Sequence, residues 1–379
     1  MKKFYKKNWI WFLILLVPYV LIILSLTIKV NFSADMPGGL SNLNKEIEIE
    51  NGKKLNGSIS SIYVNDQTKI SIFNFLIDYF SPYSTLYMLT EQEVKEYDAK
   101  SEYIIGTIDK NSSYNNSVIA AYSKLLEDGE DIEFNYEIIP LVYGISSLVK
   151  ERNNSFNYYS LYNKKIVKVG NTDIVVDKTS ETPVTTQIQT LINEGASECA
   201  CGEAIDWVLE NDNGIEETYS IEKVDTGEVD SNGDKICKFG ITYYMFYTVT
   251  KANPSYKINE VNTIGPSGGL MQALYIYASL SSKDITKGLK IAGTGTIDYE
   301  GNAGAIGGVK QKVISAALAK ADVFFVPNTS YGNYEVALQV KEKLGLKIEI
   351  VPVKSLNDVL EYLEGLSWKS YYPNIKKLK

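Results

Sequence analysis

A long, largely apolar stretch with no charged side chain occurs once in the 379-residue chain, from Trp9 to Ile28 (WIWFLILLVPYVLIILSLTI). At about 1.5 Å per residue a helix of that length crosses the roughly 30 Å hydrocarbon layer of a membrane. The pattern therefore predicts a transmembrane helix, kinked at Pro18, with Trp9 and Trp11 at one interface. Lys2, Lys3, Lys6 and Lys7 precede it and only Lys29 follows closely. The positive-inside bias then predicts a cytoplasmic N-terminus and an extracytoplasmic remainder at the cell membrane. The run is longer than a signal-peptide core, and no A-x-A site follows it.

Beyond the span, DMPGGL (35–40) reads as a turn-rich joint and GSISSIYV (57–64) alternates as a strand, while the apolar, aromatic 70–88 reads as one helix packed on such strands. Serine, asparagine and tyrosine dominate 100–165, where no function is legible. KKIVKVGNTDIVV (164–176) predicts two strands across a Gly170-Asn171 turn, TPVTTQIQTLINEG (182–195) a helix, and ETYSIEKV (217–224) a strand. That order loosely resembles the second half of a PDZ domain, with YEIIPLVYGI (136–145) in the place of a carboxylate-binding loop; a generic small α/β insert fits nearly as well. A last unit is expected to open near Lys235 with the strand FGITYYMFYTVT (239–250) and to close on SLNDVLEYLEGL (355–366), where Ser355 and Asp358 suit a capping box. The division predicted is 1–30 (cytoplasmic stub and transmembrane helix), 31–134 (extracytoplasmic N-terminal region), 135–228 (PDZ-like), 235–366 and a tail, 367–379, in an α/β (α+β) fold.

Composition narrows the chemistry. The chain has no histidine, which excludes Ser-His-Asp and Cys-His catalysis within it and the usual His-containing zinc and haem sites. Cys199, Cys201 and Cys237 are too few for a four-thiolate cage. Outside the cytoplasm Cys237 could pair with either Cys199 or Cys201, and unpaired cysteines fit as well. Five of the 38 basic residues and none of the 46 acidic ones fall in 1–30, so the remainder is strongly acidic, and Arg152 is the sole arginine. Nucleic acid is not an expected partner.

IGPSGGLMQALYIYASL (264–280) reads as a turn running into a helix, placing Ser267 at a helix N-terminus where backbone N–H groups stabilise developing negative charge. LKIAGTGTIDYEGNAGAIGGVKQKVISAALAKADVFFVPN (289–328) predicts a strand, a glycine-rich hairpin, a helix after Gly307-Gly308, and a buried strand. No GxxxxGK[ST] loop is present, so no nucleotide is expected.

GPSGG, the TG of GTGT and IGGVKQK stand in the order found in the proteolytic domain of Lon proteases, which residues 235–366 resemble. The resemblance implies a Ser-Lys hydrolase needing no cofactor and no metal. By position, Ser267 matches the nucleophile and Lys312, the second lysine of GG-x-K-x-K, the base. Thr294 matches the threonine that hydrogen-bonds the catalytic amine, and Gly265 and Gly268 stand where backbone oxyanion donors are expected. Lys310 is the competing base, or else a solvated residue of the first helical turn. Two positions depart from the family: Gly268 stands where many Lon enzymes have alanine, and Ile264 replaces an acid three residues before the serine. The whole chain resembles bacterial membrane-bound PDZ-Lon proteases, which lack the Lon ATPase module. That implies ATP-independent cleavage of unfolded or exposed protein segments and allows a homo-oligomer, since Lon domains commonly form rings. An inactive Lon-fold, PDZ-like scaffold that binds peptides at the membrane is the alternative.

Overall fold

The computed structural model describes residues 2–152 and 156–366; the expected tail, 367–379, lies outside them. Helix α1 (Lys2–Thr27) covers the apolar run except for Ile28. No helix among the described residues is long and apolar enough to cross a membrane. The side chains at 2–8, 10 and 12 lie outside that description, and the expected span falls partly on them.

The chain then enters strand β1 (Phe32–Asn42), which pairs antiparallel with β2 (Ser58–Thr68). DMPGGL is thus not a joint but the middle of β1, where the register shifts between Pro37 and Leu40. A bulge accommodates the proline and glycines that a regular ladder would reject. The single helix expected over 70–88 is instead helix α2 (Ile72–Phe80) followed by edge strand β3 (Thr85–Met88). Ser71 caps α2, and Pro82 comes just after its end at a position that disfavours continuation. The Ser/Asn/Tyr-rich stretch contains a 29-residue helix, α3 (Ala99–Glu127).

Strands β4 (Glu133–Ile145), β5 (Lys165–Val169) and β6 (Thr172–Asp173), helix α4 (Val184–Ser197), and strands β7 (Ala204–Glu210), β8 (Glu216–Glu222) and β9 (Ile241–Asn253) build a second sheet. Its order is β9-β4-β5-β7-β8, with β6 paired to β5. The expected turn at Gly170-Asn171, helix and strand are all present. FGITYYMFYTVT, however, does not open the last unit: as β9 it lies antiparallel along the whole of β4. Long-range pairing of this kind leaves no local mark in a strand's own sequence. Cys201 is bonded to Cys237, and Cys199 is buried as a free thiol.

Helix α5 (Gly269–Leu280), strand β10 (Lys290–Gly293), helix α6 (Val309–Leu318), strand β11 (Val323–Pro327), helix α7 (Asn333–Leu344), strand β12 (Glu349–Val353) and helix α8 (Leu356–Gly365) complete the chain. The main sheet runs β12-β11-β10-β2-β1-β3, parallel from β12 to β2 and antiparallel beyond. The region 31–134 is therefore no separate unit: its strands finish the sheet begun by the C-terminal ones. Side chains of β11 alternate between two layers, as strand geometry requires. Val323 and Phe325 join a core with α3, α5 and α8, whereas Phe324 and Val326 join one with α6 and α7. The sheet is thus sandwiched, and its buried strands read as continuous apolar runs.

Candidate active site

Helix α5 is capped at Gly268, so Ser267 sits one residue outside the cap rather than in the helix. The carbonyl of Ser267 accepts two hydrogen bonds from the TG of GTGT, one from the Thr294 hydroxyl (2.9 Å) and one from the Gly295 N–H (2.8 Å). The Leu270 N–H donates to the Gly295 carbonyl (3.0 Å), so this one dipeptide clamps both sides of the turn.

Lys312 reaches the same place from α6. Gly308 caps that helix with φ +66°, and a Cβ there would lie 2.8 Å from Val64 Cγ2; only glycine lets the chain turn this close to β2. One turn on, Lys312 is 3% exposed and its Nζ donates to Thr294 Oγ1 (3.1 Å). A hydrogen-bonded chain therefore links amine, threonine and the serine carbonyl. Burial pulls the Lys312 amine down to about 8, with the field of the Asp35 carboxylate opposing it.

Lys310 leaves the helix in another direction. It is partly exposed, and its Nζ donates to the Ser84 carbonyl (2.6 Å); with Gln311, which donates to Thr85 Oγ1 (2.8 Å) and to the Asp35 carbonyl (3.2 Å), it fastens α6 to β3 and β1.

Ser267 and Lys312 line a cavity of about 760 Å³, together with Asp35, Asp66, Asn262 and Gly308. Asp35 was missed in the sequence because DMPGGL reads as a joint. Burial raises its carboxyl against the Tyr87 hydrogen bond and the Lys312 charge, and burial together with Asp35 raises that of Asp66.

The loop before the nucleophile rests on one face of α3, in the stretch where sequence reading found nothing. Gly265 N–H donates to the Gly106 carbonyl (2.7 Å), Lys110 Nζ donates to Thr263 Oγ1, Ser113 Oγ donates to the Pro266 carbonyl (3.1 Å), and Ser117 Oγ donates to the Gly269 carbonyl (2.9 Å). Positions 106, 110, 113 and 117 follow helical spacing. Lys110 is buried and paired with Glu46 (3.3 Å). Gly265 is corrected as an oxyanion donor, because its N–H is already given to Gly106. Ile264, in the place of the family acid, lies against the same helix at Gly106. At Gly268 a methyl group would stand 3.3 Å from Ser61 Cβ, a tight fit consistent with glycine in the place of the family's alanine.

Residues 260–364 match the Lon protease (S16) C-terminal proteolytic domain. This segment is similar to the Lon proteolytic domain. Among curated relatives, Lon protease of Aster yellows witches'-broom phytoplasma is 36% identical over 95 residues, 25% of this chain and 11% of that one. Lon protease of Campylobacter jejuni is 34% identical over 99 residues (26% and 12%), and that of Clostridioides difficile 27% over 147 residues (36% and 18%). The chain spans less than a fifth of the length of these relatives. The Lon-like segment holds Ser267, Thr294 and Lys312, while β1, β2, β3 and α3, which complete its sheet and support its loop, precede it.

Proposed function

We propose that the protein is a serine endopeptidase in which Ser267 attacks a peptide carbonyl and Lys312 is the general base. The observation that carries this reading is the Lys312–Thr294–Ser267 chain opening on a cavity, with an amine held near 8 by burial. An amine at its ordinary value would be protonated at neutral pH, whereas one near 8 is partly free to accept the serine proton. The ammonium so formed returns that proton to the leaving amine, and water then hydrolyses the acyl-enzyme. The Gly268 N–H, at the helix cap next to Ser267, is the oxyanion donor this reading assigns.

The finer reading is a membrane-anchored, ATP-independent enzyme acting on unfolded or exposed protein segments, with its cleft outside the cytoplasm. Its support is the uncharged run 9–28, all but its last residue in α1, the lysines before it, and a disulfide suited to an oxidising compartment. The sheet formed by 133–253, with its helix α4, keeps a PDZ-like peptide-binding role open. The test is hydrolysis of unfolded casein by the purified full chain in detergent, with and without ATP. Wild type should cleave equally under both conditions, Ser267→Ala and Lys312→Ala should not cleave, and Lys310→Ala should retain activity. An active Lys312→Ala with an inactive Lys310→Ala would transfer the base to Lys310.

A further inference from the structure

We propose that α2 docks its outer face in the interfacial layer of the lipid bilayer and holds the active-site cleft against the membrane surface. This rests on the reading of α1 as an anchor. The face is a single helical stripe: Phe73, Leu76, Ile77 and Phe80 are exposed at spacings i, i+3, i+4 and i+7. Phe80 is 79% exposed, and Met88, on the neighbouring β3, 76%. The helix is inverted relative to an ordinary surface helix, because its charged residue, Asp78, is buried and accepts a hydrogen bond from Ser84 Oγ (2.7 Å).

The occupant follows from continuity with α1. Residues 13–24 of α1 are exposed around the whole helix; a helix apolar at all azimuths is covered either by protein or by lipid, and since no element of the described fold covers these residues we assign them to lipid. Helix α2 starts where α1 ends. Ile72 N–H donates to the Ile28 carbonyl (3.1 Å), Val30 N–H to the Ile70 carbonyl (2.8 Å), and the rings of Phe32 and Phe75 lie 4.8 Å apart. The stripe is thus fixed at the exit of the anchor, where an apolar, aromatic face sinks about 5–10 Å into the headgroup and acyl boundary. From α2 the chain passes directly into β3, which receives Lys310 and Gln311 and whose Tyr87 bonds Asp35 in the cleft. Docking therefore orients the cleft toward polypeptide emerging close to the bilayer.

The test uses the full chain in vesicles of phosphatidylcholine and phosphatidylglycerol, with a spin label on Ile77→Cys, Phe80→Cys, Tyr331→Cys or Leu21→Cys, each in a Cys199→Ala background. The expected result is that oxygen collides with the labels at 77 and 80 more often than a water-soluble nickel chelate does, with the reverse at 331. Labels at 77 and 80 in water while 21 is in lipid would overturn the docking and leave the anchor standing. A label at 21 in water would overturn both. Shielding of 77 and 80 from both reagents would indicate a protein partner and overturn the lipid assignment.

Discussion

On the proposed mechanism, Lys312 ties stability to activity through one buried side chain. Its amine sits near 8 in the fold against an ordinary 10.5, so between those values the unfolded chain holds the proton that the folded one has released. Stability from this residue therefore rises with pH across that window, and below about 8 the fold carries the full cost of a buried ammonium, on the order of 3 kcal/mol. Lys312→Met should raise the melting temperature at pH 7, an advantage that shrinks as pH approaches 10, while abolishing hydrolysis; calorimetry at both values checks this. If Lys312 is the base, wild-type kcat/KM should climb as pH passes through about 8, where its amine becomes neutral. Thr294→Val removes the partner of both Lys312 Nζ and the Ser267 carbonyl, and should lower kcat roughly 10- to 100-fold, the worth of a hydrogen bond to an ionisable group. Ser267, Thr294 and Lys312 can be singled out in the sequence because each lies in a short motif, and the structure joins them in one hydrogen-bonded chain. Asp35 was not, since its strand is disguised by proline and glycines, and its meeting with Lys312 is a matter of sheet order.

At the scale of elements, α3 is the part most poorly read. Its apolar stripe is diluted by Ser113, Ser117 and Lys110, which are buried because they grip the loop 263–269 rather than because they are apolar. Composition alone cannot distinguish such residues from a solvated face. The double variant Ser113→Ala/Ser117→Ala should lose about 1 kcal/mol per site and reduce kcat more than it raises KM, as measured by thermal melts and peptide kinetics. Gly308→Ala places a methyl group against Val64 at a left-handed position and should cost about 1–3 kcal/mol with a marked loss of activity. Helix α5, the glycine hairpin, α6 and β11 lie close to where periodicity places them, since each is set by a local pattern. The supposed helix over 70–88 broke into α2 and β3 because its outward apolar face mimics a packed one.

For the whole molecule, the second sheet interrupts the fold that bears the cleft. The chain leaves the first core after α3, builds β4 to β9, and returns to it at α5. Ile108 of α3 belongs to the inserted core, whereas Tyr114, Val118 and Tyr122 belong to the other, so the same helix is shared by both. The Cys201–Cys237 bond closes a 36-residue separation within the insertion. Reduction should destabilise that part by about 2–4 kcal/mol and leave hydrolysis of a short peptide largely intact, which a melt and an assay with and without reductant would establish. The sequence by itself determined what chemistry is excluded and where to look: zero histidines, a serine and a lysine in Lon-like order, and an uncharged apolar run, all of which are properties of composition or of contiguous residues. Only the tertiary structure decided that the N-terminal strands complete the sheet beside the cleft, that Lys312 Nζ meets Thr294 while Lys310 Nζ meets the Ser84 carbonyl, and that Gly265 N–H is committed to α3. Those outcomes depend on pairings between residues tens to hundreds of positions apart, whose energy comes from mutual burial and hydrogen bonding and leaves no trace in either partner's local pattern.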